Sequence, residues 1–120
     1  GRQAKRVRMS HGTGYFKIIG QGFEHLVVHK EALLGRQTSS QTKENHYHIG
    51  KSKSISRKQL VVKWHPKDAH WRMLCPGKNK VYVNRVEHES GCEPIVLDPS
   101  KPIAVQVGDT SVGRFFILMA

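Results

Sequence analysis

QLVVKWHPKDAHWRMLC (residues 59–75) holds two short apolar runs separated by a single turn. Leu60, Val62 and Trp64 fall on one side of the first run, with Val61, Lys63 and His65 on the other. Trp71, Met73 and Cys75 alternate in the same way against Arg72 and Leu74. Successive side chains of a strand point to opposite faces, so this period of two reads as strand, loop and strand. Trp64 and Trp71 lie on the apolar faces, which makes them core residues rather than stacking platforms.

The same pattern extends in both directions. YFKII (15–19), the turn Gly20-Gln21-Gly22 and FEHLVVH (23–29) form a hairpin-like unit, and KVYV (80–83), PIVL (94–97) and RFFILM (114–119) add further short runs. IAVQV (103–107) alternates most cleanly, with Ile103, Val105 and Val107 inward and Ala104 and Gln106 outward. No 3.6-residue period is sustained. KEALL (30–34) has the composition of a short helix start, ended by Gly35. Many short strands punctuated by Gly, Pro and Asp indicate an all-β sandwich or barrel.

The chain has 120 residues, the size of one domain, and its 38% hydrophobic content suffices for a core. GRQAKRVRMSHG (1–12) has almost nothing apolar and reads as a flexible basic arm, leaving 13–120 as the domain. Such an arm suits a solvated tail, a nucleic-acid contact or part of a nuclear import signal. The start at Gly1 rather than Met leads to the expectation of a piece cut from a longer protein. Twenty Lys and Arg against nine Asp and Glu give a net charge of +11, a field that attracts phosphate on nucleic acid, membrane or phosphoprotein. Cys75 and Cys92 are too few for a disulfide framework and read as reduced thiols, Cys75 packed in a strand. No apolar run reaches the roughly 18 residues of a membrane span.

Three loop motifs carry the chemistry: Gly35-Arg36, Ser56-Arg57-Lys58-Gln59 and Gly77-Lys78-Asn79-Lys80. Arg36 and Arg57 bring guanidinium forks that match a phosphate dianion, Ser56 a hydroxyl, Asn79 an amide and Lys78 a movable charge. Gly35 and Gly77 permit close backbone approach or a sharp turn. In this order the motifs resemble the forkhead-associated (FHA) domain, whose pattern is G-R, then S-x-x-H, then N-G-x-x-x-N-G. The similarity spans residues 15–119 and looks closest to FHA domains of forkhead-type transcription factors and related nuclear regulators.

The resemblance implies a two-sheet, mostly antiparallel β-sandwich of about eleven short strands. It implies a module that binds a phosphothreonine-containing protein, in a larger nuclear regulatory chain (cytoplasm being the alternative), and that acts as a monomer without cofactor or catalysis. The phosphopeptide-binding residues would be Arg36, Ser56, Arg57, Lys78 and Asn79. Specificity or support would come from Gly35, Lys53, Gln59, Asn84 and Arg85, with the peptide beyond the phosphothreonine meeting the loops at 51–55 and 84–87. The sequence departs from the pattern at three positions. Gln59 stands for the bracing histidine, and Lys80 and Arg85 stand for glycines, which puts the third loop's turn geometry in question.

Other chemistries are weaker. His46-Tyr47-His48 puts two imidazoles on one strand face, but no third metal ligand has recognisable spacing. His65, Asp68 and His70 lack any nucleophile motif, and Gly12-Thr13-Gly14 lacks the later glycine and lysine of a phosphate-binding loop. The second function class is nucleic-acid backbone binding through Lys51, Lys53, Arg57, Lys58, Lys78 and Lys80. Against it stands the absence of a recognition helix and of exposed stacking aromatics. A phosphate-independent protein-interaction domain is the third.

Overall fold

The computed structural model describes residues 3–9, 12–37, 43–109 and 113–119. Along them run thirteen strands: β1 (Val7–Met9), β2 (Gly12–Gly14), β3 (Phe16–Gly20), β4 (Phe23–Val27), β5 (Glu31–Arg36), β6 (His46–Gly50), β7 (Leu60–His65), β8 (His70–Leu74), β9 (Val81–Val83), β10 (Val86–His88), β11 (Ile95–Leu97), β12 (Ile103–Val107) and β13 (Arg114–Met119). A six-stranded sheet has the order β10-β9-β12-β13-β3-β4, and a five-stranded sheet the order β11-β8-β7-β5-β6. β1 and β2 form a separate two-stranded ladder. Every pairing is antiparallel except β5 with β6.

The hairpin at 59–75 is β7 and β8, with Val62 opposite Met73 and Trp64 opposite Trp71. The inward side chains of both sheets meet in one core. Phe16, Ile18, Ile103 and Ile117 come from the six-stranded sheet, and Leu34, Leu60, Val62 and Met73 from the five-stranded one. Trp71 joins the layers, edge-on to Phe16 at 5.0 Å between centroids and 5.7 Å from Tyr15. Each such side chain contributes about 1.5–3 kcal/mol by leaving water. Cys75, just past β8, is buried as well, and its thiol is pushed up to about 12 by burial and by neighbouring Cys92. Both cysteines are free.

Two expectations change. KEALL is not a helix start: Glu31–Arg36 is a strand between β6 and β7, with Ala32, Leu33, Leu34 and Gly35 all buried. A strand covered on both faces needs no polar alternation, and its apolar run looks like a helix in sequence. Part of the stretch read as a free basic arm also packs on the body. Ala4 is in the core cluster, the Arg6 guanidinium lies 5.5 Å from the Tyr15 ring centre, and Val7–Met9 pairs with Gly12–Gly14.

Candidate functional site

At the end of the sandwich where β5 finishes and β7 begins, three loops are tied together by hydrogen bonds. Arg36 donates its backbone N–H to the Ser56 carbonyl and its Nε–H to the Ile55 carbonyl, both at 3.1 Å. Gly35 must be glycine here, because a Cβ would sit 1.9 Å from the Arg57 carbonyl oxygen. The first two sequence motifs are therefore one contact. The loop that carries Ser56 begins with a turn in which Ser52 Oγ and Ser54 Oγ are 2.7 Å apart and Ile55 N–H donates to the Ser52 carbonyl at 3.0 Å.

Gln59 joins the second motif to the third. It is fully buried, the one polar side chain in that class among the described residues. Its Oε1 accepts from Ser56 N–H at 2.9 Å and from Asn79 Nδ2 at 3.1 Å, while Nε2 donates to the Asn79 carbonyl at 3.4 Å. Its own carbonyl accepts from Gly77 N–H at 3.2 Å. A Cβ on Gly77 would lie 2.7 Å from the Gln59 Cα, so the third motif's glycine is also a close-approach position. Asn79 Nδ2 reaches further, to the Ser54 carbonyl at 2.6 Å. Both protons of that amide are engaged inside the protein, so Asn79 latches two loops and retains only its Oδ1 as a free acceptor.

The groups left over decide what the rim can hold. Ser56 Oγ accepts from Lys78 N–H at 3.1 Å, which leaves its own O–H proton to donate outward. Lys51, Lys53, Arg57, Lys58 and Lys78 are exposed, and among the described residues none has a carboxylate partner. His46 Nε2 donates to the Arg57 carbonyl at 2.8 Å and fixes that turn from β6.

Lys80 does not share this freedom. Its ammonium lies 3.4 Å from Asp109 and 3.6 Å from Glu87, above the Tyr82 ring at 5.6 Å. Its pKa is raised by the Tyr82 hydroxyl and these carboxylates. Nor does Lys80 occupy the left-handed region, so the glycine it stands for is not missed. Asn84 and Arg85 are different: they form the two-residue turn between Val83 and Val86 with φ of 50° and 71°. Mirror-image turns of this kind match hairpin twist and favour Asn followed by Gly. Asn84 is held there by reciprocal bonds with Ala104, at 2.8 and 2.9 Å. Among the described residues, neither Asn84 nor Arg85 bonds to the Gln59 latch.

Of the residues expected from sequence, Gly35, Arg36, Ser56, Arg57, Gln59, Lys78 and Asn79 come together, with Lys53 on the adjoining loop. Ser52, Ser54 and Ile55 were expected only as part of the 51–55 loop, and His46 was not expected at this site. The closely spaced Ser52 and Ser54 were the available signal, since serine hydroxyls build local turns. His46 and His48 take separate tasks. His48 Nδ1 accepts from Gln37 N–H at 3.4 Å, and its pKa is lowered by burial and then by His25, Lys51 and His46. Asp68 pairs with Arg72 and sits 3.4 Å from His65, stabilising the β7–β8 turn. Among the described residues no group of three His, Cys, Asp or Glu is placed to hold a metal.

No family model matches the sequence, and no curated protein matches it. Solved structures do match, several FHA domains among them: the chain has the fold of the forkhead-associated domain. The N-terminal FHA domain of S. cerevisiae Rad53p, in complex with a phosphothreonine peptide, superimposes with a TM-score of 0.66 at 18% identity, over 88% of this chain and 94% of that one. An engineered FHA with a Myc-pTBD peptide gives 0.66 at 17% identity, over 88% and 91%. Mycobacterium tuberculosis Rv1747 FHA-1 gives 0.61 at 13% identity, over 88% and 96%.

Proposed function

We propose that this chain is a reader of phosphothreonine segments in partner proteins, acting through the rim formed by the end of β5 and the loops before β7 and after β8. The observation that carries the reading is the Ser56 hydroxyl. Its acceptor side is taken by Lys78 N–H, its proton is free, and uncompensated Arg57, Lys58 and Lys78 surround it in sequence and space. A phosphate dianion supplies the acceptors that such donors lack. Two similar solved structures hold peptides, one of them phosphothreonyl, which agrees with this use of the fold. Arg36 supports the loop through its Nε–H to Ile55 and keeps its terminal guanidinium donors, and Asn79 supports it through Ser54, so Arg36, Ser56, Arg57 and Lys78 make the phosphate contacts.

The reading includes a monomeric, non-catalytic module of a larger nuclear regulatory protein. Four or five charge-assisted bonds of about 1.5–3 kcal/mol each, offset by about 4–15 kcal/mol of association cost, favour micromolar over nanomolar affinity. Calorimetry with matched phosphothreonine, phosphoserine and unmodified peptides tests it. Saturable binding of the phosphothreonine form alone is expected, with Arg57→Ala and Ser56→Ala each weakening it roughly tenfold to a hundredfold. Equal affinity for the unmodified peptide would overturn the proposal in favour of phosphate-independent recognition. Tight binding to oligonucleotides that falls steeply with salt, without any preference for phosphothreonine, would assign the basic rim to nucleic acid.

A further inference from the structure

The outer face of the six-stranded sheet carries a second surface, remote from the Gln59 latch in its hydrogen bonding. Cross-strand register sets Ile19, Phe116 and Ala104 side by side in one row, and Arg114, Gln106, Tyr82 and Glu87 in the next. Ala104 is the small member of its row. A hollow opens over it, lined by Tyr82, Arg85, Ala104, Gln106, Arg114 and Phe116. Phe116 is 51% exposed, in a row where a solvated sheet face would carry polar side chains.

The charges around the hollow are unbalanced. Arg114 Nε donates to Gln106 Oε1 at 2.8 Å, and among the described residues neither Arg114 nor Arg85 meets a carboxylate. The acidic side chains nearest in register, Glu87 and Asp109, are engaged with the Tyr82 hydroxyl at 3.1 and 2.7 Å and with Lys80. Arg85 also sits at φ 71°, a conformation that glycine adopts without strain and arginine does not. A long cation kept at such a position points to a partner for its charge.

We infer that this hollow docks an acidic, unphosphorylated protein segment, with one aromatic or aliphatic side chain seated over Ala104 against Phe116 and flanking carboxylates on Arg85 and Arg114. The net charge of +11 favours such a segment over a second copy of this chain. None of Arg36, Ser56, Arg57 or Lys78 lines the hollow, so the inference does not rest on phosphothreonine reading.

The test uses two pools of unphosphorylated peptides with a central Phe or Leu, one flanked by Asp and Glu, the other by Lys. Binding is followed by anisotropy and by amide shifts in NMR. The acidic pool is expected to bind saturably and to move the amides of Ala104, Gln106 and Phe116. Phe116→Ser and Arg114→Glu are each expected to weaken it by about tenfold or more while leaving phosphothreonine-peptide affinity unchanged. Both residues are exposed, and a melting curve for each variant verifies that it is folded. Absence of saturable binding, shifts confined to Ser56 and Lys78, or indifference to both folded variants would each overturn the inference.

Discussion

The β7–β8 hairpin and the loop latch at its open end each hold a fully buried side chain, yet they exclude water by different means. In the hairpin, Val62, Trp71 and Met73 fill space with carbon, which is non-directional and tolerant of small shifts. In the latch, Gln59 is as buried as Met73 but makes five hydrogen bonds, two through its backbone and three through its amide. Each bond demands a particular partner at a particular angle. The hairpin therefore supplies stability, and the latch supplies the position of Ser56 and Lys78. Loss of one should be separable from loss of the other.

Met73→Ala empties a fully buried site and should cost about 2–5 kcal/mol in denaturant unfolding. Phosphopeptide affinity of the molecules that remain folded should hardly change. Gln59→Leu keeps similar volume but strands Ser56 N–H and one Asn79 proton, for about 1–3 kcal/mol. Here peptide affinity should fall far more than in Met73→Ala. If both variants lost affinity in proportion to stability, the division of labour would be refuted. Arg85→Gly relieves a left-handed residue and should raise stability by about 1 kcal/mol or less, read as a higher melting temperature.

The smallest effect concerns His48. Its folded pKa is lowered, so the native state favours the neutral ring and binds fewer protons than the unfolded chain. The stability tied to it is complete above the unfolded value of about 6.5 and is eroded as pH falls below that. A protonated Nδ1 also cannot accept from Gln37 N–H. Melting temperature should drop slightly from pH 7 to pH 5, and His48→Asn should reduce that drop. The effect is small because the ring is only half-buried.

Strands with one wet face were legible in sequence. IAVQV and RFFILM match β12 and β13 to the residue, and the 59–75 hairpin differs from β7 and β8 by one residue at two ends. β5 was not, because burial on both faces removes alternation. β10 has only exposed and half-buried side chains, so no apolar pattern marks it. The loop motifs identified the latch residues, because G-R, S-R-K-Q and G-K-N are unusual donor clusters beside strand ends. Their wiring was hidden. That Asn79 turns both amide protons inward, and that Lys80 is consumed by Asp109 and Glu87, depends on chain segments up to 29 residues away.

β13 occupies an interior place in its sheet, between β12 and β3, although it comes last among the described strands. β3 and β4 can thus join the sheet only through the segment that leaves the ribosome after them all. During synthesis the earlier hairpins must wait with their apolar faces uncovered. A truncation before Arg114 would split the layer into two unconnected pieces rather than shorten it.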